Sequence, residues 1–136
     1  MDFPMLSESG ALQRTLAIFF RTKKKALAVY LFGSQASGRA GPRSDIDVAV
    51  LLDRKSASKA FDLEMQWREA LSRIFERDVD VVILNRADPV LKFQVYAKGA
   101  PVLIRNRREA SMEKERAIDG YWDWRPTERI LNGSAK

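Results

Sequence analysis

The sequence predicts an α/β (α+β) domain built on a short mixed sheet of about four strands, with helices packed on one side. Two patterns carry this expectation. Short apolar runs recur along the chain, and between them lie segments whose apolar residues repeat at helical spacing. At 136 residues the chain fits one such domain with a single core, and is too short for a catalytic domain plus a separate substrate domain. Whatever it acts on is therefore expected to be held largely by another molecule.

From Ala11 onward Leu12, Leu16, Phe19 and Phe20 recur at i, i+4, i+7 and i+8, the mark of an amphipathic helix, and Arg21 with Lys23, Lys24 and Lys25 forms its basic end. The run ALAVYLF at 26–32, bounded by lysines and Gly33, is too short for a helix and reads as a buried central strand. After the loop around Gly41 and Pro42, DIDVAVLL at 45–52 gives a second strand, with Asp53 opening the turn. Residues 55–77 predict a long helix capped by Ser56 or Ser58, with Leu63, Trp67, Leu71 and Ile74 on its inner face. DVDVVIL at 78–84 is a third strand. Asp88 and Pro89 then supply an N-cap and a proline at N1 for a helix that Gly99 should end. A fourth strand is expected at 101–105, and beyond Arg107 a charged helical segment leads to Tyr121, Trp122, Trp124 and a polar end. Those aromatic residues suit either a partner interface or packing on their own core.

Composition narrows the chemistry before any motif is read. There is no cysteine and no histidine, which removes disulfides, thiolate zinc sites, thiol nucleophiles and the usual general base near neutral pH. Catalysis must then run on carboxylates, lysines, hydroxyls or a hard metal held by oxygen. The net charge of +6 raises nucleic acid or an acidic partner. Nucleic acid is not favoured, because no RRM, KH or zinc pattern accompanies the charge. No apolar stretch is long enough to span a bilayer and residues 1–10 do not resemble a secretory signal, so a cytoplasmic location is expected.

The most informative feature is the spacing of acidic residues on the second and third strands. Side chains alternate along a strand, so Asp45 and Asp47 share a face. Two ionised carboxylates in one small volume repel unless a cation lies between them, and oxygen-only ligation suits Mg²⁺. Asp78 and Asp80 share a face of their own strand, and if that strand neighbours the second, one of them can join the pair. Asp80 is the better choice, lying deeper among valines, whereas Asp78 stands at the strand's mouth. Gly33 and Ser34, where the first strand ends, allow close backbone approach to a ligand and offer N–H and hydroxyl donors for phosphate. Phosphate on one side and Mg²⁺ on the other describe phosphoryl or nucleotidyl transfer, which mainly needs positioning and charge neutralisation.

The segment GSQASGRAGPRSDIDVAV at 33–50, with Asp80 in VDVVIL, resembles the signature of the DNA polymerase β-like nucleotidyltransferase superfamily: Gly-Ser, then Asp-x-Asp, then a third Asp on a later strand. The length, the Ser-Asp-Ile-Asp wording and KFQVYAKGAPVLIR look like the minimal nucleotidyltransferases, the MNT group, members of which are commonly the antitoxin beside a HEPN-domain toxin. The resemblance covers roughly residues 12–108. It implies a nucleotidyltransferase fold, with Gly33, Ser34 and Ser44 at the nucleotide and Asp45, Asp47 and Asp80 binding Mg²⁺, two ions in all. Asp80 would also help activate the incoming hydroxyl. The reaction it implies moves NMP, AMP first among them, from ATP or another NTP to a tyrosine of the toxin. One departure is that Ala36-Ser37-Gly38 stands where many members have Ala-Arg-Gly, so that Arg39 or Arg43 must substitute or activity is reduced.

On this reading residues 1–108 form the minimal nucleotidyltransferase domain and 109–136 a C-terminal helical segment and tail within reach of a partner. Homo- or hetero-oligomers are both compatible with it. Two other functions compete: an antitoxin that neutralises by direct binding with a weak or vestigial site, and transfer to RNA or to a small molecule such as an aminoglycoside.

Overall fold

A computed structural model describes the backbone of residues 8–33 and 45–134, and side chains within 10–33 and 45–123. Helix α1 (Glu8–Arg21) leads into strand β1 (Ala26–Phe32), and β2 (Ile46–Leu52) is followed by a short 3₁₀ segment, Arg54–Lys59. Then come α2 (Ala60–Phe75), β3 (Val79–Ile83), α3 (Pro89–Lys98), β4 (Ala100–Ile104) and α4 (Arg107–Ser134). The four strands form one sheet in the order β3-β2-β1-β4. β1 is antiparallel to both β2 and β4, and β2 is parallel to β3. The sheet is therefore mixed, as expected.

Helices cover both faces of the sheet, which corrects the expectation that they pack on one side. On the first face Leu12, Leu16 and Phe20 of α1 and Leu63, Trp67 and Leu71 of α2 pack on Val29, Leu31, Val48, Val50, Val81 and Ile83. On the second face Val95 and Tyr96 of α3 and Ala110 and Ala117 of α4 pack on Ala28, Tyr30, Ala49 and Leu51. The reason lies in the central strands, which are apolar at odd and even positions alike and need cover on both faces.

Element ends follow local chemistry, with two differences from expectation. The helix expected at 55–77 begins as the 3₁₀ segment, and its cap is Asp53 rather than Ser56 or Ser58: the Asp53 carboxylate accepts from Ser56 N at 2.8 Å, and Ser56 itself is buried. Ile74, expected on the inner face, is 50% exposed near the end of α2. Asp88 does cap α3, accepting from Leu91 N at 2.9 Å. Gly99 ends α3, its N–H bonded to Val95 O at 2.7 Å. A Cβ there would stand 2.5 Å from Val95 O, so only glycine fits that approach.

Arg105, just past β4, closes the domain. Its N–H bonds Leu27 O at 2.7 Å, and its guanidinium donates to the carbonyls of Phe20, Arg21, Lys23 and Ala26. Carbonyls at a helix end have no partner within the helix, and this one side chain donates to two at the end of α1, those of Phe20 and Arg21. Farther along, Tyr121 of α4 stacks on Phe93 of α3 with ring centroids 4.1 Å apart, and Trp122 meets Phe93 edge-on at 6.5 Å. Tyr121 thus packs on its own domain, while Trp122 stays partly exposed. The Trp124 side chain lies outside the described residues. Among the described residues no helix is long and apolar enough to cross a membrane.

Candidate active site

Strand register brings the acidic residues together. Along β2, Ile46, Val48, Val50 and Leu52 enter the first core, so Asp47 faces the other way, with Ala49 and Leu51. In the parallel pairing of β2 with β3, Asp47 lies directly beside Asp80. In the antiparallel pairing with β1, it lies beside Phe32, the residue before Gly33. Asp45 immediately precedes β2.

Electrostatics mark this as one cluster. Asp47 is half-buried, and its carboxyl is pushed above the ordinary carboxylate range, first by burial and then by the negative charges of Asp80 and Asp45. A carboxylate so placed gains from a nearby cation. Gly33 closes the other side: its φ is +74°, and a Cβ added to it would lie 2.4 Å from Asp47 Oδ2. Glycine is needed here both for the left-handed backbone and for the room it leaves around the carboxylate.

Asp80 is not buried-sided as the sequence suggested. Its side chain is 51% exposed on the edge strand, and its Oδ1 accepts from Arg68 Nη2 at 2.6 Å. Asp78 immediately precedes β3, its main-chain carbonyl accepting from Ile46 N at 3.2 Å. Asp45, Arg68, Ser72, Asp78, Val79 and Asp80 line a shallow pocket at this edge. Ser34 and Ser44, and Arg39 and Arg43 with them, lie outside the described residues.

The donor set suits a hard divalent ion, being all oxygen and crowded with like charge that a cation would relieve. Among the described residues, however, no three carboxylates converge tightly enough to grip an ion unaided, and one oxygen of Asp80 is engaged by Arg68. Mg²⁺ commonly takes one or two carboxylates and completes its shell with water and substrate phosphate. The arrangement is of that kind. Arg68 is the site residue that sequence reasoning missed, since a Glu64/Arg68 pair at i, i+4 looks like any solvated helix pair.

A mixed sheet presenting aspartates from neighbouring parallel strands, with a glycine against one of them, is the framework of a nucleotidyltransferase domain. The chain matches the family described as "Polymerase beta, Nucleotidyltransferase" over residues 14–108, and belongs to it. Among characterised proteins it resembles the protein adenylyltransferase MntA of Shewanella oneidensis, at 39% identity over 77 residues, which is 55% of this chain and 52% of that protein. The chain thus spans about half the length of the curated relative it matches. Its fold is similar to that of a toxin–antitoxin crystallised with AMP-PNP, with a TM-score of 0.70 and 25% identity over 90% of this chain and 97% of the other. It is also similar to the tri-AMPylated Shewanella oneidensis HEPN toxin in complex with MNT antitoxin, with a TM-score of 0.65 and 23% identity over 92% of this chain and 97% of the other. That second likeness speaks to fold alone.

Proposed function

We propose that this chain is a Mg²⁺-dependent adenylyltransferase that moves AMP from ATP to a tyrosine hydroxyl of a partner HEPN toxin and so acts as its antitoxin, in the cytoplasm. The observation that carries this reading is the row Gly33, Asp47, Asp80 with Asp45 beside it, in which the Asp47 carboxyl is pushed above its ordinary range by burial and then by both neighbouring carboxylates. The adenylyltransferase and the AMP-PNP-bound toxin–antitoxin among its relatives supply the nucleotide and the kind of acceptor.

In this reading Gly33, Ser34 and Ser44 contact the nucleotide phosphates, and Asp45 and Asp47 hold Mg²⁺ with help from Asp80. The ions, two as in related chemistry, neutralise the triphosphate charge. Asp80 accepts the proton of the acceptor hydroxyl. The hydroxyl oxygen forms a bond to the α-phosphorus, the bond from that phosphorus to the β-bridging oxygen breaks, and pyrophosphate leaves with the electron pair. The domain at 1–108 performs the transfer, and the segment at 109–136, whose Ala110 and Ala117 pack on the sheet, meets the partner.

Neutralisation by binding alone is the second reading, favoured by the partly exposed Trp122 on α4. Intact mass spectrometry of the partner toxin, incubated with this chain, Mg²⁺ and each NTP in turn, separates the two. Mass gains in whole AMP units, absent with Asp45→Ala/Asp47→Ala, are the expected result. A stable complex whose toxin gains no mass would overturn the transfer reading in favour of occlusion.

A further inference from the structure

Arg68 belongs to none of the sequence motifs, yet it makes the shortest ion pair at the site. Leu63, Trp67 and Leu71 turn α2 toward the core, and Arg68 emerges beside them along the outer edge of β3, the edge strand. Its Nη2 donates to Asp80 Oδ1 at 2.6 Å and to the main-chain carbonyl of Val81 at 3.4 Å. Glu64, one turn earlier, lies 3.5 Å from the same nitrogen. Arg68 Nε is enclosed and has no hydrogen-bond partner among the described residues, so the guanidinium is placed by what its tip touches. One turn farther on, Ser72 Oγ accepts from Val79 N at 3.1 Å and fixes the register of α2 against the start of β3.

Stability does not account for this arrangement. Arg68 and Asp80 are 40% and 51% exposed, and pairs so open to water contribute little to folding. Orientation is what the pair supplies. A carboxylate on an exposed edge strand turns freely about its side-chain bonds. Here one oxygen is tied to a guanidinium that is itself tied to the backbone of the same strand.

We propose that Arg68 is a positioning residue for Asp80: it takes up one carboxylate oxygen and so fixes the direction in which the other meets the acceptor hydroxyl. This rests on the adenylyl-transfer reading above. Asp80 supplies the group that touches the acceptor, and Arg68 acts through it. Lysine at this position keeps the charge but not the planar guanidinium whose Nη2 donates to both Asp80 and Val81.

The test compares wild type, Arg68→Ala and Arg68→Lys of the full chain with the partner toxin, ATP and Mg²⁺. The readouts are AMP transfer, Mn²⁺ affinity by electron paramagnetic resonance, and melting temperature. For Arg68→Ala we expect kcat to fall roughly ten- to a hundred-fold, the order of loss that misplacement of a reacting group causes. The KM for ATP should stay within about two-fold, since substrate binding is not what is lost. Mn²⁺ should bind at least as tightly as in wild type, because a positive charge has left the site, and Arg68→Lys should recover part of kcat. Unchanged kcat in Arg68→Ala would overturn the inference while leaving the transfer reading intact. So would a joint loss of kcat, Mn²⁺ affinity and melting temperature that lysine does not repair, which would mark a merely structural role. Wild type that transfers no AMP would remove the transfer reading itself, and this inference with it.

Discussion

Replacing Gly33 with alanine tests the geometry of the carboxylate row most directly, because the structure gives both parts of the cost. The backbone at Gly33 has φ +74°, and a residue with a Cβ gives up roughly 1–2 kcal/mol in that left-handed conformation. The new Cβ would stand 2.4 Å from Asp47 Oδ2, so the carboxylate must withdraw by about 1 Å to reach ordinary contact. Turning that side chain off its rotamer costs of order 0.5–1.5 kcal/mol. Alanine also restricts the unfolded chain, which offsets about 0.4–1 kcal/mol. The net expectation for Gly33→Ala is a loss of roughly 0.5–3 kcal/mol. In an Asp47→Ala background the contact with Oδ2 disappears and only Asp47 Cβ remains, at 3.5 Å. Gly33→Ala should then cost less by about the rotamer contribution, 0.5–1.5 kcal/mol. Urea unfolding of the four proteins, followed by tryptophan fluorescence, measures this coupling as shifts of midpoint at constant slope. In the AMP-transfer assay the displaced carboxylate should lower turnover by about a hundred-fold. Equal costs of Gly33→Ala in the two backgrounds would refute the reasoning, since they would mean that Gly33 does not bear on Asp47.

Other expectations follow from the same packing and charge. Because the Asp47 carboxyl is raised above its ordinary value of 3.8, the unfolded chain ionises first as pH rises; stability therefore declines through that window and stays lower above it. Asp47→Asn escapes this decline, so without divalent ions it should melt above wild type at neutral pH and match it more closely in acid. A scan of melting temperature against pH reads both, and a mutant no more stable at neutral pH would contradict it. Trp67, 4% exposed and edge-on to Phe20 at 5.4 Å, should cost about 3–5 kcal/mol when replaced by alanine. Arg105→Met keeps the aliphatic stem and removes the donors to the end of α1. It should cost about 1–3 kcal/mol in denaturant unfolding, and hydrogen exchange should quicken at the end of α1 before it does in β2.

How far the sequence could be read depended on whether a feature was local. Strands β1, β2 and β3 were legible because apolar runs too short for helices are bounded by turn residues, and the shared face of Asp45 and Asp47 follows from the two-residue repeat alone. That Asp80 lies beside Asp47 depends on which strands pair and in what register, which was assumed rather than derived. The continuous apolar character of 26–32 already implied burial on both faces. Its consequence, helices on both sides, was missed because the second face is lined partly by small residues such as Ala28 and Ala49. Arg68 could not be found by pattern, since its bond to Asp80 spans twelve residues and depends on how α2 lies along β3. Arg105 carries no local signal either, since its guanidinium serves a helix end 84 and 85 residues away in sequence.

That clasp at Arg105 bears on how the chain comes to be folded. β4 is the last strand to be made and pairs with β1, the first. The side chain that follows it ties down the end of α1. Contacts between such distant parts of a chain form slowly, because a long loop must close before any of them is rewarded. A nascent chain that stops short of residue 100 leaves one edge of β1 bare, and one that stops short of residue 105 leaves the last carbonyls of α1 without this donor. Assembly is therefore committed late, after almost the whole nucleotidyltransferase domain has left the ribosome.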